Sequence, residues 1–208
     1  QAIQVMLDPA DCGPATISMS QDVQGETYDY PEIFFEEKIH EIRRIHPDPN
    51  QIKAAAEKII ESKQPILISG GGVLYSEAEA ELSAFAKKHN IPVTATVMGI
   101  GCMKKSDPYY ISAIGCLGEG SSNNLSKDTD LAIAIGTKLA DFTTGSWTNF
   151  QNPNFGLVSI NTSRFDTTKH RAIPVVSDAK IGLKELSEVL GDWKAPNVWY
   201  KRAQKERD

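Results

Sequence analysis

Residues 64–73 read QPILISGGGV, an apolar run with Gly70, Gly71 and Gly72 directly behind it. Glycine lets a backbone approach a phosphate closely, and a helix opening there would favour negative charge. The same triplet would equally serve a tight turn between a strand and a helix. Neither GxGxxG nor the longer phosphate-loop pattern ending in Gly-Lys is present, so the spacing leaves both readings open. Other glycines follow other apolar runs. Met98 and Gly99 lie in VMGIG, Gly136 and Thr137 in GTKLAD, and Asn161 in NTSRF. An asparagine behind a strand either turns the chain or holds a ribose hydroxyl. Cys116, Leu117, Gly118 and Glu119 sit in the glycine-rich stretch 115–120. A loop carboxylate there either moves protons in a cleft or complements a helix start.

Other chemistries are poorly served. GxSxG is missing, so no hydrolase nucleophile elbow is supported. The three cysteines, Cys12, Cys102 and Cys116, form no CxxC pair. The four histidines, His40, His46, His89 and His170, never fall four residues apart. Disulfide framework and metal motif are therefore not indicated, no residue is assigned as catalytic or metal-binding, and the thiols fit a reducing, cytoplasmic setting. Net charge is −5, without a basic stripe, which argues against nucleic acid. The longest apolar stretch, Leu131–Ile135, is far too short to cross a bilayer.

The elements that must position these loops are visible in the pattern. Asp48, Pro49 and Gln51 announce a helix whose apolar residues recur from Ile52 to Ile60 at helical spacing. PILIS then reads as a buried strand. Ser76 and Glu79 form a capping box for a second helix, and IPVTATV is the next strand, completing a strand–helix–strand unit of about 30 residues. Later strands are expected at DLAIAIG, FGLVSIN and AIPVVS. A helix is expected from Gly118–Glu119 to just before Asp128, and a last one behind the capping residue Asp178. TISMS, at Thr16–Ser20, reads as a strand, and residues 32–50 as holding a short helix. Trp147 and Phe150 read as packing aromatics. The sum is an α/β chain: a three-layer, Rossmann-like domain with a mainly parallel sheet of about six strands and extended tails. The opening AIQVMLDP reads as a helix end, and the chain as a piece of a longer polypeptide.

The order of these loops resembles the central domain of thiamine-diphosphate-dependent enzymes such as acetolactate synthase. QPILISGGGVLYSEAEAELSAFAKKHNIPVTATVMGIGCMKKSDP, IGCLGEGSSNN, DTDLAIAIGTKLADFTTG and VSDAKIGLKEL carry the likeness, and GPATISMSQDVQGE resembles the last strand of the preceding pyrimidine-binding domain. The resemblance implies residues 1–30 as the end of that domain, 31–47 as a linker, 48–190 as the central domain and 191–208 as a linker toward a cofactor-binding domain. DVQGETYDYP, SWTNFQNPNF and INTSRFDTTKHRA resemble the branch that hydrolyses a C–C bond of a cyclic 1,2-diketone in inositol catabolism. That implies a homo-oligomeric parent using thiamine diphosphate and Mg²⁺, with the other domains of the same polypeptide as partners.

Departures sharpen the expectation. Acetolactate synthases end the loop after the fourth strand with a substrate-holding arginine, and Phe142 stands there. Flavin-binding members usually carry Asp where this chain has Asn161 or Thr162, so FAD is not expected, and the resemblance favours the turn reading of the glycine triplet. The family's Gly-Asp-Gly metal motif is missing, since Gly191-Asp192 is followed by Trp193 and Asn123-Asn124 has no such motif before it. The chain alone is expected to catalyse nothing. It would instead join the cofactor domains and wall a substrate channel with Cys116, Leu117, Gly118 and Glu119. The alternatives are another enzyme of the family, a stand-alone FAD- or nucleotide-binding module, and a domain that serves only oligomer assembly.

Overall fold

The computed structural model describes residues 1–208, which form two units, Gln1–Arg43 and Arg44–Asp208. The first holds one helix, α1 (Ala2–Leu7), and two 3₁₀ turns, Val23–Gly25 and Glu32–Phe35. Thr16–Ser20, expected as a strand, is extended but pairs with no other strand, and Ile17 and Met19 are exposed. The short helix expected within residues 32–50 is only the 3₁₀ turn. Tyr30, Phe34 and Phe35 contact one another edge to face or tilted while remaining exposed.

The second unit is a six-stranded parallel sheet in the order β3-β2-β1-β4-β5-β6. Its strands are β1 (Pro65–Ser69), β2 (Val93–Ala95), β3 (Tyr110–Ala113), β4 (Leu131–Ile135), β5 (Gly156–Asn161) and β6 (Ile173–Val176). β1 and β4 pair from Pro65 opposite Leu131 to Ser69 opposite Ile135. Both are buried at every residue, as a strand covered on two faces must be. Alternate side chains feed two cores. Leu67, Ile133 and Ile160 join α2 (Pro49–Glu61), α4 (Glu79–His89) and α8 (Ala179–Leu190). Ile66, Ile68 and Ala134 join α5 (Gly120–Asp128) and α9 (Asn197–Arg207) on the opposite face. The remaining helices, α3 (Gly71–Tyr75), α6 (Asp141–Thr144) and α7 (Arg164–Thr167), are single turns behind strands.

Several sequence signals act as expected. Asp48 accepts from Asn50 N–H at 2.7 Å with Pro49 in the first turn. Asp178 caps α8 through Lys180 and Ile181 N–H and pairs with Arg44 at 2.8 Å. Trp147, Phe150 and Phe155 pack ring on ring. Others act differently. Gln51 does not reach back to Asp48; its Oε1 accepts from Val176 N–H at 2.9 Å, tying α2 to β6. Ser76 closes α3, so the Ser76–Glu79 box does not form and Ala78 precedes α4. Residues 191–208, read as a polar connector, hold α9, whose Trp199 is buried and donates from Nε1 to Pro65 O at 2.8 Å.

His89 is fully buried at the end of α4, with Nδ1 2.8 Å from Trp193 O and Nε2 3.0 Å from Ser187 Oγ. The carbonyl can only accept, so Nδ1 donates and Nε2 accepts from the hydroxyl, which a neutral ring satisfies. Burial holds its pKa below 6.5, with Lys88 and Lys194 adding to the effect. The unfolded chain therefore takes up a proton before the folded one does, and stability falls as pH drops from about 6.5 toward the lower folded value. In urea titrations at pH 7.5 and 5.5, His89→Gln is expected to lose less stability on acidification than the parent chain.

Candidate functional site

All six strands run the same way, so their carboxyl ends share one edge. The strand order reverses direction between β1 and β4, where open α/β sheets collect ligands. Here the loops behind those two strands press on each other. Gly70 N–H donates to Ile135 O at 2.8 Å, Gly72 N–H to Gly136 O at 3.0 Å, and Val73 N–H back to Gly70 O at 3.1 Å. Three amides that a phosphate cradle would use thus meet main-chain carbonyls. A methyl group on Gly72 would lie 2.6 Å from Gly136 Cα, and one on Gly136 would lie 2.5 Å from Gly72 Cα. Gly136 also holds φ +58°. Close approach of chain to chain accounts for these glycines. The helix behind the triplet has only five residues, too short to build much dipole.

The other loops join the same rim. Thr96 N–H donates to Ser69 O at 2.9 Å, and a methyl group on Gly99 would collide with that carbonyl. Met98 Cβ lies 3.4 Å from where Gly71 would carry one, and Thr137 Cβ 2.6 Å from the same point on Gly70. Asn161 makes a local turn by accepting from Ser163 N–H at 3.0 Å, and its Nδ2 donates to Thr137 O at 3.3 Å. The structure therefore gathers Gly70, Gly71, Gly72, Met98, Gly99, Gly136, Thr137 and Asn161 along one edge.

The segment Cys116–Glu119, behind β3, is tied to that edge through Cys116 N–H, which donates to Phe142 O at 2.8 Å. Gly115 before it has φ +105°. Cys116, Leu117 and Glu119 are exposed. Around the rim Met98, Ile100, Leu117, Phe142 and Phe165 also expose their side chains. Such an edge can bound and orient an organic ligand through shape and apolar surface. Nearby, the Tyr110 phenol is pushed up chiefly by burial, with Cys102 and Glu119 adding negative charge.

Residues 52–186 match the model of the thiamine pyrophosphate enzyme central domain. The chain belongs to this family. Among curated proteins it is 41% identical over 189 residues to a 3D-(3,5/4)-trihydroxycyclohexane-1,2-dione hydrolase of Clostridium perfringens, covering 91% of this chain and 30% of that protein. It is 43% identical to the like-named protein of Clostridium tetani, covering 91% and 29%, and 42% identical to that of Geobacillus thermodenitrificans, covering 92% and 30%. The chain thus spans about 30% of the length of these relatives.

A diphosphate held through a metal needs converging oxygen donors. No three His, Cys, Asp or Glu side chains converge in this chain. These side chains do not fit a metal-held diphosphate. No helix is long and apolar enough to cross a membrane.

Sequence reasoning overlooked two residues at this edge. Asn123 Oδ1 accepts from Gly115 N–H at 2.9 Å while its Nδ2 donates to Gly115 O at 3.0 Å. Asn149 Nδ2 donates to the same Asn123 oxygen at 3.1 Å. In the sequence, Asn123 stands out only against the family's metal motif. No sequence signal announces the pairing, because the left-handed φ of Gly115 is known only from the structure.

Proposed function

We propose that this chain is the central domain of a thiamine-diphosphate-dependent hydrolase that opens trihydroxycyclohexane-1,2-dione, a cyclic 1,2-diketone of inositol catabolism, at a C–C bond. The observation that carries this reading is identity of 41–43% to proteins named for that hydrolysis, sustained over about nine-tenths of the chain. Phe142 supports it further. An exposed ring in place of a substrate-holding arginine suits a neutral diketone better than a 2-keto-acid carboxylate. Bound thiamine diphosphate would supply the carbanion chemistry, with Mg²⁺ on its diphosphate, both held by other domains of the same polypeptide. This domain joins those parts, and Gly115–Glu119 walls the channel, orienting the ring and excluding bulk water. The rim keeps its glycines as architecture and holds neither FAD nor another nucleotide. The parent works as a homo-oligomer in the cytoplasm.

The test is an assay of the chain joined to the flanking thiamine domains of such a hydrolase. The joined enzyme is expected to open the cyclic diketone and to leave pyruvate uncondensed, and the isolated chain to be inert. Phe142→Arg in the joined enzyme should lower kcat/KM for the diketone by roughly tenfold, as loss of one apolar pocket contact does. Condensation of 2-keto acids instead would refute the assignment.

A further inference from the structure

We propose that Asn123, backed by Asn149, is a positioning residue that sets the Gly115–Glu119 loop in place as the channel wall; this rests on the function proposed above. Asn123 sits in the first turn of α5, and its carboxamide pairs with both polar groups of Gly115, at 2.9 and 3.0 Å, as a neighbouring strand would. Gly115 can take no side chain, because its φ is +105° and a methyl group would lie 2.9 Å from Thr143 Cα. Its backbone packs directly on Phe142 and Thr143, and Asn123 is the side chain that holds both of its polar groups.

Amides downstream inherit that geometry. Cys116 N–H reaches Phe142 O, Gly118 N–H reaches Gly115 O at 2.9 Å, and Glu119 N–H reaches Ala113 O at 2.9 Å. Each needs Gly115 where Asn123 holds it. Gly115 N–H and C=O between them fix which end of the Asn123 carboxamide is oxygen, and the buried Asn149 donates to that oxygen from Nδ2. It comes from the SWTNF segment, in a connection between α6 and β5 that has no helix. A segment remote in sequence from the wall thus controls its shape through one side-chain bond. Ser146 and Trp147, just before Asn149, both have positive φ, and Trp147 packs on His170 with ring centroids 4.4 Å apart. The brace is itself anchored.

Asn123→Leu removes both bonds to Gly115 at similar volume. Asn123→Asp keeps an acceptor for Gly115 N–H and loses the donor, guarding against a variant that fails to fold. Both variants are expected to speed amide exchange at Gly115 and Cys116 about tenfold, with β1 and β4 exchange unchanged. Asn149→Leu should do the same more weakly. In the flanked hydrolase, KM for the cyclic diketone should rise about tenfold with kcat nearly kept, a split that general destabilisation would not give. Unchanged loop exchange in both Asn123 variants would overturn the positioning role. A loosened loop with unchanged KM would overturn the wall assignment, leaving the brace as structure alone.

Discussion

Gly136→Ala is expected to lower the unfolding free energy of this chain by about 2–4 kcal/mol. Two costs add. At φ +58° an alanine is held in the left-handed region, worth about 1 kcal/mol. Its methyl group would also sit 2.5 Å from Gly72 Cα and 2.9 Å from Gly72 N. Those are backbone atoms of the first turn behind β1, so no side chain can swing away. Overpacking of that kind costs about 1–3 kcal/mol. Relief would pull apart the loops of the two central strands and strain the bonds from Gly70 and Gly72. Gly72→Ala meets Gly136 Cα at 2.6 Å without the φ penalty and should cost somewhat less. The two changes strain one contact, so their double variant should fall short of the sum. Gly120→Ala is the control. It opens α5 with nothing near its methyl position, and it should be neutral or stabilising by about 0.5 kcal/mol. Urea denaturation of the four variants measures all of this.

The second large effect is expected at the other end of the chain. Trp199→Ala should cost about 4 kcal/mol, within the range for emptying a buried aromatic site. Trp199 is 3% exposed, packs with Ile66, Ile68 and Leu125, and donates its indole N–H to Pro65 O. Ala203, one turn on, is the other fully covered residue of α9. Beyond those two residues, α9 is held by Tyr200 stacked on Tyr109, by Arg207 donating to Asp107 O and Lys105 O at 2.9 Å each, and by surface pairs such as Arg202 to Glu206, which replace little of that burial. Losing the indole should therefore detach α9 before the sheet melts. Amide exchange along residues 197–207 should rise toward the unfolded rate while β4 amides stay protected.

These two sites mark where the sequence was readable and where it was not. β1 and β4 are continuous apolar runs closed by glycine, and both cores follow from their alternation. β3 is short, and its central Ser112 is satisfied by the Ser121 and Ser122 hydroxyls at 2.7 Å, so no apolar run announces it. Thr16–Ser20 has the opposite fault. Its alternating Ile17 and Met19 look like a strand, but a strand exists only where a partner supplies hydrogen bonds. α9 shows only Trp199 and Ala203 at helical spacing, too thin a stripe to separate from a polar tail. At the rim, the glycines were visible, but their reason was not. Each is explained by an atom far along the chain, Gly72 by Gly136 and Gly99 by Ser69. Asn123 was hidden for the same cause, since its partner Gly115 is remarkable only once its φ is known.

The proposed function requires that the carboxyl edge, closed by its own backbone, serve as a wall rather than as a nucleotide seat. Titration calorimetry of the chain with FAD and ADP addresses it most directly. No measurable heat at millimolar ligand is the predicted result. Saturable micromolar binding of either, abolished by substitution at Gly70 or Gly72 in variants that remain folded, would contradict it.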